Sequence, residues 1–185
     1  IAVEKERNCM SKDYIPIKIV HDFADRIEPL GVEYMLTGSL AMMQYKVYRM
    51  TADIDIVIEL KNEHANQIVS AFEPDYYVPH GRVRDAISQK FMFNVIHLDT
   101  AFKIDLVLKK KSEYQQNAFE RRRKLDFYGK EIYIITLEDL IISKLNWAKD
   151  SLSEKQLTDV ENLLQNEYDT DYVKDWTNKL GISHL

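Results

Sequence analysis

Residues Thr51 to Leu60 alternate in polarity with a period of two, and this pattern constrains the fold more than any other feature of the chain. Ala52, Ile54, Ile56, Ile58 and Leu60 fall on one face of a strand, and Asp53, Asp55, Val57 and Glu59 on the other. Such a strand has one dry face and one acidic face, so it belongs in a sheet with helices packed on its apolar side. Val20, Phe23, Ile27 and Leu30 recur at helical spacing, and Pro29 and Gly31 punctuate the end, which predicts a helix from about Ile15 to Leu30 packed on that sheet. Val32 to Leu36 reads as a short buried strand running into Thr37, Gly38 and Ser39, and Leu40 to Tyr45 has helix-forming composition.

Beyond the acidic strand, His64 to Phe72 predicts a helix, and Pro74 to Gly81 breaks the pattern. Phe91 to Leu98 and Ala101 to Leu108 form apolar, aromatic and β-branched runs separated by Asp99 and Thr100, which predicts a hairpin with a two-residue connection. In its second strand Phe102, Ile104, Leu106 and Leu108 share a face, leaving Lys103, Asp105 and Val107 opposite. Glu131 to Ile135 is a last short strand. Thr136-Leu137-Glu138-Asp139 then reads as a capping box opening a helix to about Asp150. Leu157, Val160, Leu163 and Leu164 support another helix, and Tyr172 to Leu180 a further one. The expected fold is α+β, a small mixed β-sheet flanked by helices with a helical C-terminal segment. The expected division is a core over residues 13–135 and a helical segment over 136–185 packed on it.

Charge and composition narrow the class. A formal net charge of −5 argues against a protein that coats nucleic acid electrostatically. Lys109 to Lys124 nevertheless carries a local net of +5 from Lys109, Lys110, Lys111, Arg121, Arg122, Arg123 and Lys124 against Glu113 and Glu120. That stretch reads either as a solvated element flanking a strand or as a polyanion contact. The single cysteine, Cys9, has no partner for an internal disulfide, and no apolar run approaches the roughly 20 residues that cross a bilayer. A cytoplasmic protein with no membrane partner is the expectation. Ile1 to Lys12 are mostly polar, lack the apolar core of a signal peptide, and read as lying outside the folded body.

The chemistry collects at two places. Gly38-Ser39, at the mouth of a strand-to-helix turn, offers uncovered backbone N–H groups and a hydroxyl, which suit a phosphate. Alone the pair is common in turns. Asp53 and Asp55 lie at i and i+2 of one strand, so the pleat points both the same way, roughly 7 Å apart along the backbone. Carboxylates so placed either decorate a solvent-facing strand or, being mutually repulsive, attract a hard cation such as magnesium. Asp105, flanked by Ile104 and Leu106 on the polar face of another strand, adds a third acid if the strands are neighbours. Three acids make a two-metal site plausible, whereas Asp105 on its own would pair with Lys103 or take a surface position.

Gly38-Ser39, then Arg49-x-Thr51-x-Asp53-Ile54-Asp55, then a distant Asp105 on a strand resembles the nucleotidyltransferase superfamily of polymerase-beta-like fold. It is similar in particular to the minimal bacterial members related to abortive-infection and toxin nucleotidyltransferases, over roughly Val32 to Leu164. The resemblance implies that Asp53, Asp55 and Asp105 are catalytic residues binding one or two Mg²⁺ ions, with Asp105 also a candidate base for the acceptor hydroxyl. It further implies that the Gly38-Ser39 turn holds a nucleoside triphosphate such as ATP, whose nucleoside monophosphate passes to an acceptor. The chain departs from many relatives in carrying Lys46 where they have a glycine, and Ser39 where they have a second one. These departures bear on the shape of the triphosphate pocket.

Cations should complete such a site, because phosphoryl transfer is mostly positioning and charge stabilisation. Lys144 sits on a stripe with Leu137, Ile141 and Ala148, where it either faces a phosphate or snorkels to solvent. Arg49 either touches phosphate or braces the carboxylates; both cations are counted as nucleotide-binding. Arg82 and Arg84 are weaker candidates for lining the cleft. His21, His64, His80, His97 and His184 show no paired zinc spacing, and no Walker loop, Gly-x-Gly-x-x-Gly turn or nucleophile elbow is present. Trp147, Trp176 and the tyrosines read as core and rim residues. The expected activity is magnesium-dependent transfer of a nucleoside monophosphate from an NTP to a small molecule, RNA or protein. The alternatives are a non-catalytic nucleotide-binding or regulatory module of the same fold, and a toxin-like modifier of RNA or protein with an antidote protein.

Overall fold

A computed structural model describes residues 13–151 and 153–185. The stretch Ile1 to Lys12, with Cys9, lies outside the described residues. Helix α1 (Ile15–Ile27) begins with Pro16 in its first turn and buries Ile17, Val20, Phe23, Ala24 and Ile27, as the apolar spacing predicts. A 3₁₀ turn (Glu28–Leu30) closes on Gly31 in the left-handed conformation, and strand β1 (Tyr34–Thr37) follows. A short helix α2 (Gly38–Ala41) and a 3₁₀ turn (Met42–Tyr45) lead to β2 (Asp53–Ile58). Helix α3 (His64–Phe72), β3 (Tyr76–Tyr77), helix α4 (His80–Gln89), β4 (Met92–His97) and β5 (Lys103–Leu108) come next. The chain then runs through α5 (Glu113–Glu120), β6 (Arg123–Asp126), β7 (Glu131–Ile134), α6 (Leu137–Ser151), α7 (Glu154–Leu163) and α8 (Thr170–Lys179).

The strands form one mixed sheet in the order β3-β4-β5-β2-β1-β7-β6. β2 runs parallel to β5 with Ile54 opposite Ile104, Ile56 opposite Leu106 and Ile58 opposite Leu108. All six of these side chains are fully buried, because the shared parity points them at the helical layer. β1 lies antiparallel on the other side of β2 with Leu36 opposite Ile56. An aromatic run consolidates this layer: Phe23 of α1 meets the edge of Tyr34 at 5.4 Å and Phe72 of α3 at 5.8 Å, and Phe72 meets Tyr76 at 5.1 Å. The opposite parity carries Asp53, Asp55 and Val57 on β2 and Lys103, Asp105 and Val107 on β5.

Two expectations are corrected. β4 and β5 are antiparallel, but the connection spans Leu98–Ala101, closed by His97 N–H donating to the Phe102 carbonyl at 2.9 Å, with Ala101 at a φ of 56°. Asp99-Thr100 does not supply the two left-handed residues that the tightest hairpin turn needs. The basic stretch builds α5 and the edge strand β6, which sequence periodicity missed. Four of its seven cations are in ion pairs: Lys109 pairs with Glu59, Arg122 with Glu33, Arg121 with Asp139, and Lys124 with Glu28 at 4.0 Å. Among the described residues, no helix is long and apolar enough to cross a membrane.

The C-terminal helices are fastened through one fully buried carboxylate. Thr136 caps α6, accepting from the Asp139 N–H at 3.4 Å and donating its hydroxyl to Asp139 Oδ2 at 2.7 Å. Asp139 also accepts from Arg121 Nε at 3.1 Å and from the Tyr172 hydroxyl of α8 at 2.7 Å, and Arg121 stacks over the Tyr172 ring. Asp139→Ala removes the acceptor shared by three donors and is expected to cost about 3–5 kcal/mol, against about 1 kcal/mol for Tyr172→Phe. Urea denaturation of both variants checks this, and equal losses would contradict the ranking.

Candidate active site

Register brings the three sequence-distant acids together. Asp55 on β2 pairs with Asp105 on β5, Asp53 pairs with Lys103, and Thr37 at the end of β1 pairs with Asp55 on its other side. Thr51 donates its hydroxyl to Asp53 Oδ1 at 2.9 Å and to the Asp53 carbonyl at 3.1 Å, which fixes that carboxylate as the strand begins. Asp105 is buried; Lys103 donates to its Oδ2 at 2.8 Å, and its Oδ1 is buried with no hydrogen-bond partner. Burial first, then the charges of Asp53 and Asp105, push the Asp55 carboxyl up to about 6, while Lys144 and Lys103 pull it back.

The glycine turn touches this acidic patch directly. Gly38 has a φ of +66°, and a Cβ there would overlap the Asp55 carboxylate, lying 2.7 Å from its Cβ and Cγ. The position therefore requires glycine both for its backbone and for the close approach of Asp55. Ser39 is buried, and its hydroxyl accepts from Arg49. Lys46 has a φ of 60° at the end of the 3₁₀ turn. That residue is thus held in the conformation glycine adopts at least cost.

The two candidate cations converge on a residue that sequence reading missed. Arg49 Nε donates to both Asp159 oxygens, at 3.0 and 3.1 Å, and Lys144 donates to Asp159 Oδ2 at 2.7 Å and to Gln156 Oε1 at 3.1 Å. Arg49 therefore braces Asp159 and Ser39, not Asp53 or Asp55. Lys144 does not snorkel: it is 4% exposed, and burial lowers its pKa while Asp159 opposes the shift. The available signal was that Asp159 lies three residues after Gln156 and four before Leu163, on a face otherwise apolar at Val160. An acid on that face of α7 answers a lysine on the packing stripe of α6. Arg82 and Arg84 are not brought to the acids; they lie on α4, where Arg84 donates to Asn66 of α3 at 3.0 Å.

Among the described residues, no three histidine, cysteine or acidic side chains already stand as a metal-holding cluster. Lys103 occupies Asp105 Oδ2. The donor set nonetheless fits a hard divalent cation. Its oxygens come from three carboxylates on adjacent strands, one oxygen orphaned and buried, with Asp55 destabilised in its charged form by burial and then by the charges of Asp53 and Asp105.

The mixed sheet flanked by helices is a fold shared with solved nucleotidyltransferase-like proteins. Residues 17–180 match the model of a family described as nucleotidyltransferase of unknown function (DUF6036), and the chain belongs to that family. A Thermotoga maritima protein described as a nucleotidyltransferase is 16% identical with a TM-score of 0.56, covering 83% of this chain and 96% of its own. ANT(2'')-Ia, solved in complex with adenylyl-2''-tobramycin, is 10% identical with a TM-score of 0.55, covering 92% of this chain and 99% of its own. An antigenic nucleotidyltransferase-like protein from Paracoccidioides brasiliensis is 17% identical with a TM-score of 0.53, covering 80% and 72%. At these identities the likeness carries the fold. No curated protein matches the chain.

The raised carboxyl sets a pH dependence. Asp55 titrates near 6 in the folded chain against an ordinary 3.8, so the folded state keeps a proton that the unfolded state has already lost. Its contribution to stability therefore falls as pH rises through that interval and stays unfavourable above it. In ion-free buffer, Asp55→Asn is expected to be more stable than the parent at about pH 8 by on the order of 1–2 kcal/mol, with the gain vanishing near about pH 4. Denaturation midpoints across that range check it; a gain that grows on acidification would have the wrong sign.

Proposed function

We propose that the chain transfers a nucleoside monophosphate from a nucleoside triphosphate to an acceptor hydroxyl, with Asp53, Asp55 and Asp105 as the catalytic carboxylates. The observation carrying this reading is the register that sets Asp55 beside Asp105 and against Gly38. The three carboxylates would hold one or two magnesium ions. Magnesium, when bound, neutralises charge on the transferring phosphoryl group and on the leaving oxygen.

The chain's own residues do the positioning. The Gly38-Ser39 backbone and the Ser39 hydroxyl receive the triphosphate, and Arg49 and Lys144 supply positive charge to it from positions locked by Asp159. Ser39 follows β1 and Lys144 lies on the helix that follows β7, and β1 and β7 lie on the side of β2 away from β5. An in-line displacement then fixes the direction of attack. Pyrophosphate departs toward Ser39, Arg49 and Lys144, and the acceptor approaches from the β5 and β4 side, where Asn94 lies opposite Asp105. The acceptor oxygen forms a bond to the α-phosphorus as the bond from that phosphorus to the bridging oxygen breaks, and Asp105 is placed to take the acceptor proton.

ANT(2'')-Ia was solved with adenylyl-2''-tobramycin, a nucleotidylated small molecule, and nucleotidyl transfer is the reaction class proposed here. The ion pairs that occupy the Lys109 to Lys124 stretch favour a structural role for it, so a polyanionic RNA acceptor gains no support from that segment. Asp53→Asn is expected to reduce transfer of α-labelled nucleotide by roughly three orders of magnitude while the chain stays folded. Labelled NTP, incubated with small-molecule, RNA and protein acceptors and read by product mass, tests this. Undiminished transfer by the variant rejects the assignment, and nucleotide binding without any modified product favours a regulatory module.

A further inference from the structure

Lys103 stands two residues before Asp105 on β5, so the pleat puts both on one face, and the register sets Lys103 directly opposite Asp53. Its ammonium is 2.8 Å from Asp105 Oδ2 and is attracted to Asp53 and Asp55 as well, so one positive charge serves all three acids. It differs from the other cation near the acids. Lys144 is pinned in the interior by Asp159 and Gln156, whereas the Lys103 side chain is 37% exposed. An ammonium on a flexible stem is a point charge that can leave its partner without leaving solvent.

We propose that Lys103 is a resident counter-ion that holds Asp105 in the ion-free chain and is displaced from it when a divalent ion binds, so that Lys103 sets the metal concentration at which the site fills. The inference rests on the reading of Asp53, Asp55 and Asp105 as the metal-holding set. Asp105 Oδ2 cannot serve the ammonium and an ion at full strength together, and Oδ1 is the oxygen left without a partner. Whatever stabilises the empty site but not the filled one weakens binding by the same free energy. Without Lys103 the empty site would hold three carboxylates opposed only by the pinned Lys144, less stable alone and more avid for an ion.

The test is Mn²⁺ titration of the ion-stripped full chain without nucleotide, followed by the paramagnetic resonance signal of the free ion, beside thermal melts with and without Mn²⁺. Lys103→Met is expected to bind Mn²⁺ about tenfold more tightly than the parent. It should melt lower when ion-free and gain more on loading, while Lys103→Arg stays near the parent. In an Asp105→Asn background the tightening by Lys103→Met should largely disappear. Binding lost in Asp53→Asn but unchanged or weakened in Lys103→Met overturns the role of Lys103 alone. A parent that binds no Mn²⁺, or binds it equally well in Asp53→Asn, overturns the metal reading and this inference with it.

Discussion

Carboxylates on adjacent strands of one sheet face repel one another, and the charged residues around β2 are arranged against that repulsion. The parallel pairing of β2 with β5 is what creates the problem, since it sets Asp55 directly beside Asp105. The backbone hydrogen bonds of a sheet do not yield to a local charge conflict, so the side chains must absorb it. Lys103 does so at short range and Lys144 at longer range, and the repulsion that remains adds to burial in raising the carboxyl of Asp55. Folding therefore tolerates an uncomfortable site because the apolar parity of the same strands, Ile54 to Ile58 and Ile104 to Leu108, packs so completely on the other side.

Most of the framework was legible because parity is a strong signal. Alternation in β2 and β5 placed the acids on a common polar face, and helical stripes placed α1, α3 and α6 within a few residues. What escaped had a physical reason in each case. β6 is exposed along most of its length and is built of Arg123, Lys124, Leu125 and Asp126, so it shows charge where a buried strand would show alternation. The β4–β5 connection turns on Ala101 in a conformation that its residue type does not advertise. Asp159 escaped because the meaning of a buried acid depends on its partners, which lie 15 and 110 residues away in the chain.

The same partners changed the reading of the cations. Lys144 was legible as a charged residue on a packing face, but a phosphate or the solvent looked like its only outlets. A third outlet, an acid on the next helix, lets two cations stay charged beside each other in a low-dielectric setting.

Helix α6 is gripped at two points five residues apart. Near its start Asp139 is bound by Arg121, Thr136 and Tyr172, and further along Lys144 is bound to α7 through Asp159 and Gln156. Since Asp159 also anchors Arg49, which in turn reaches Ser39, the tail of the molecule and its glycine turn share one mechanical chain of contacts. A displacement of α7 would therefore be passed through Arg49 to Ser39 and the glycine turn beside it.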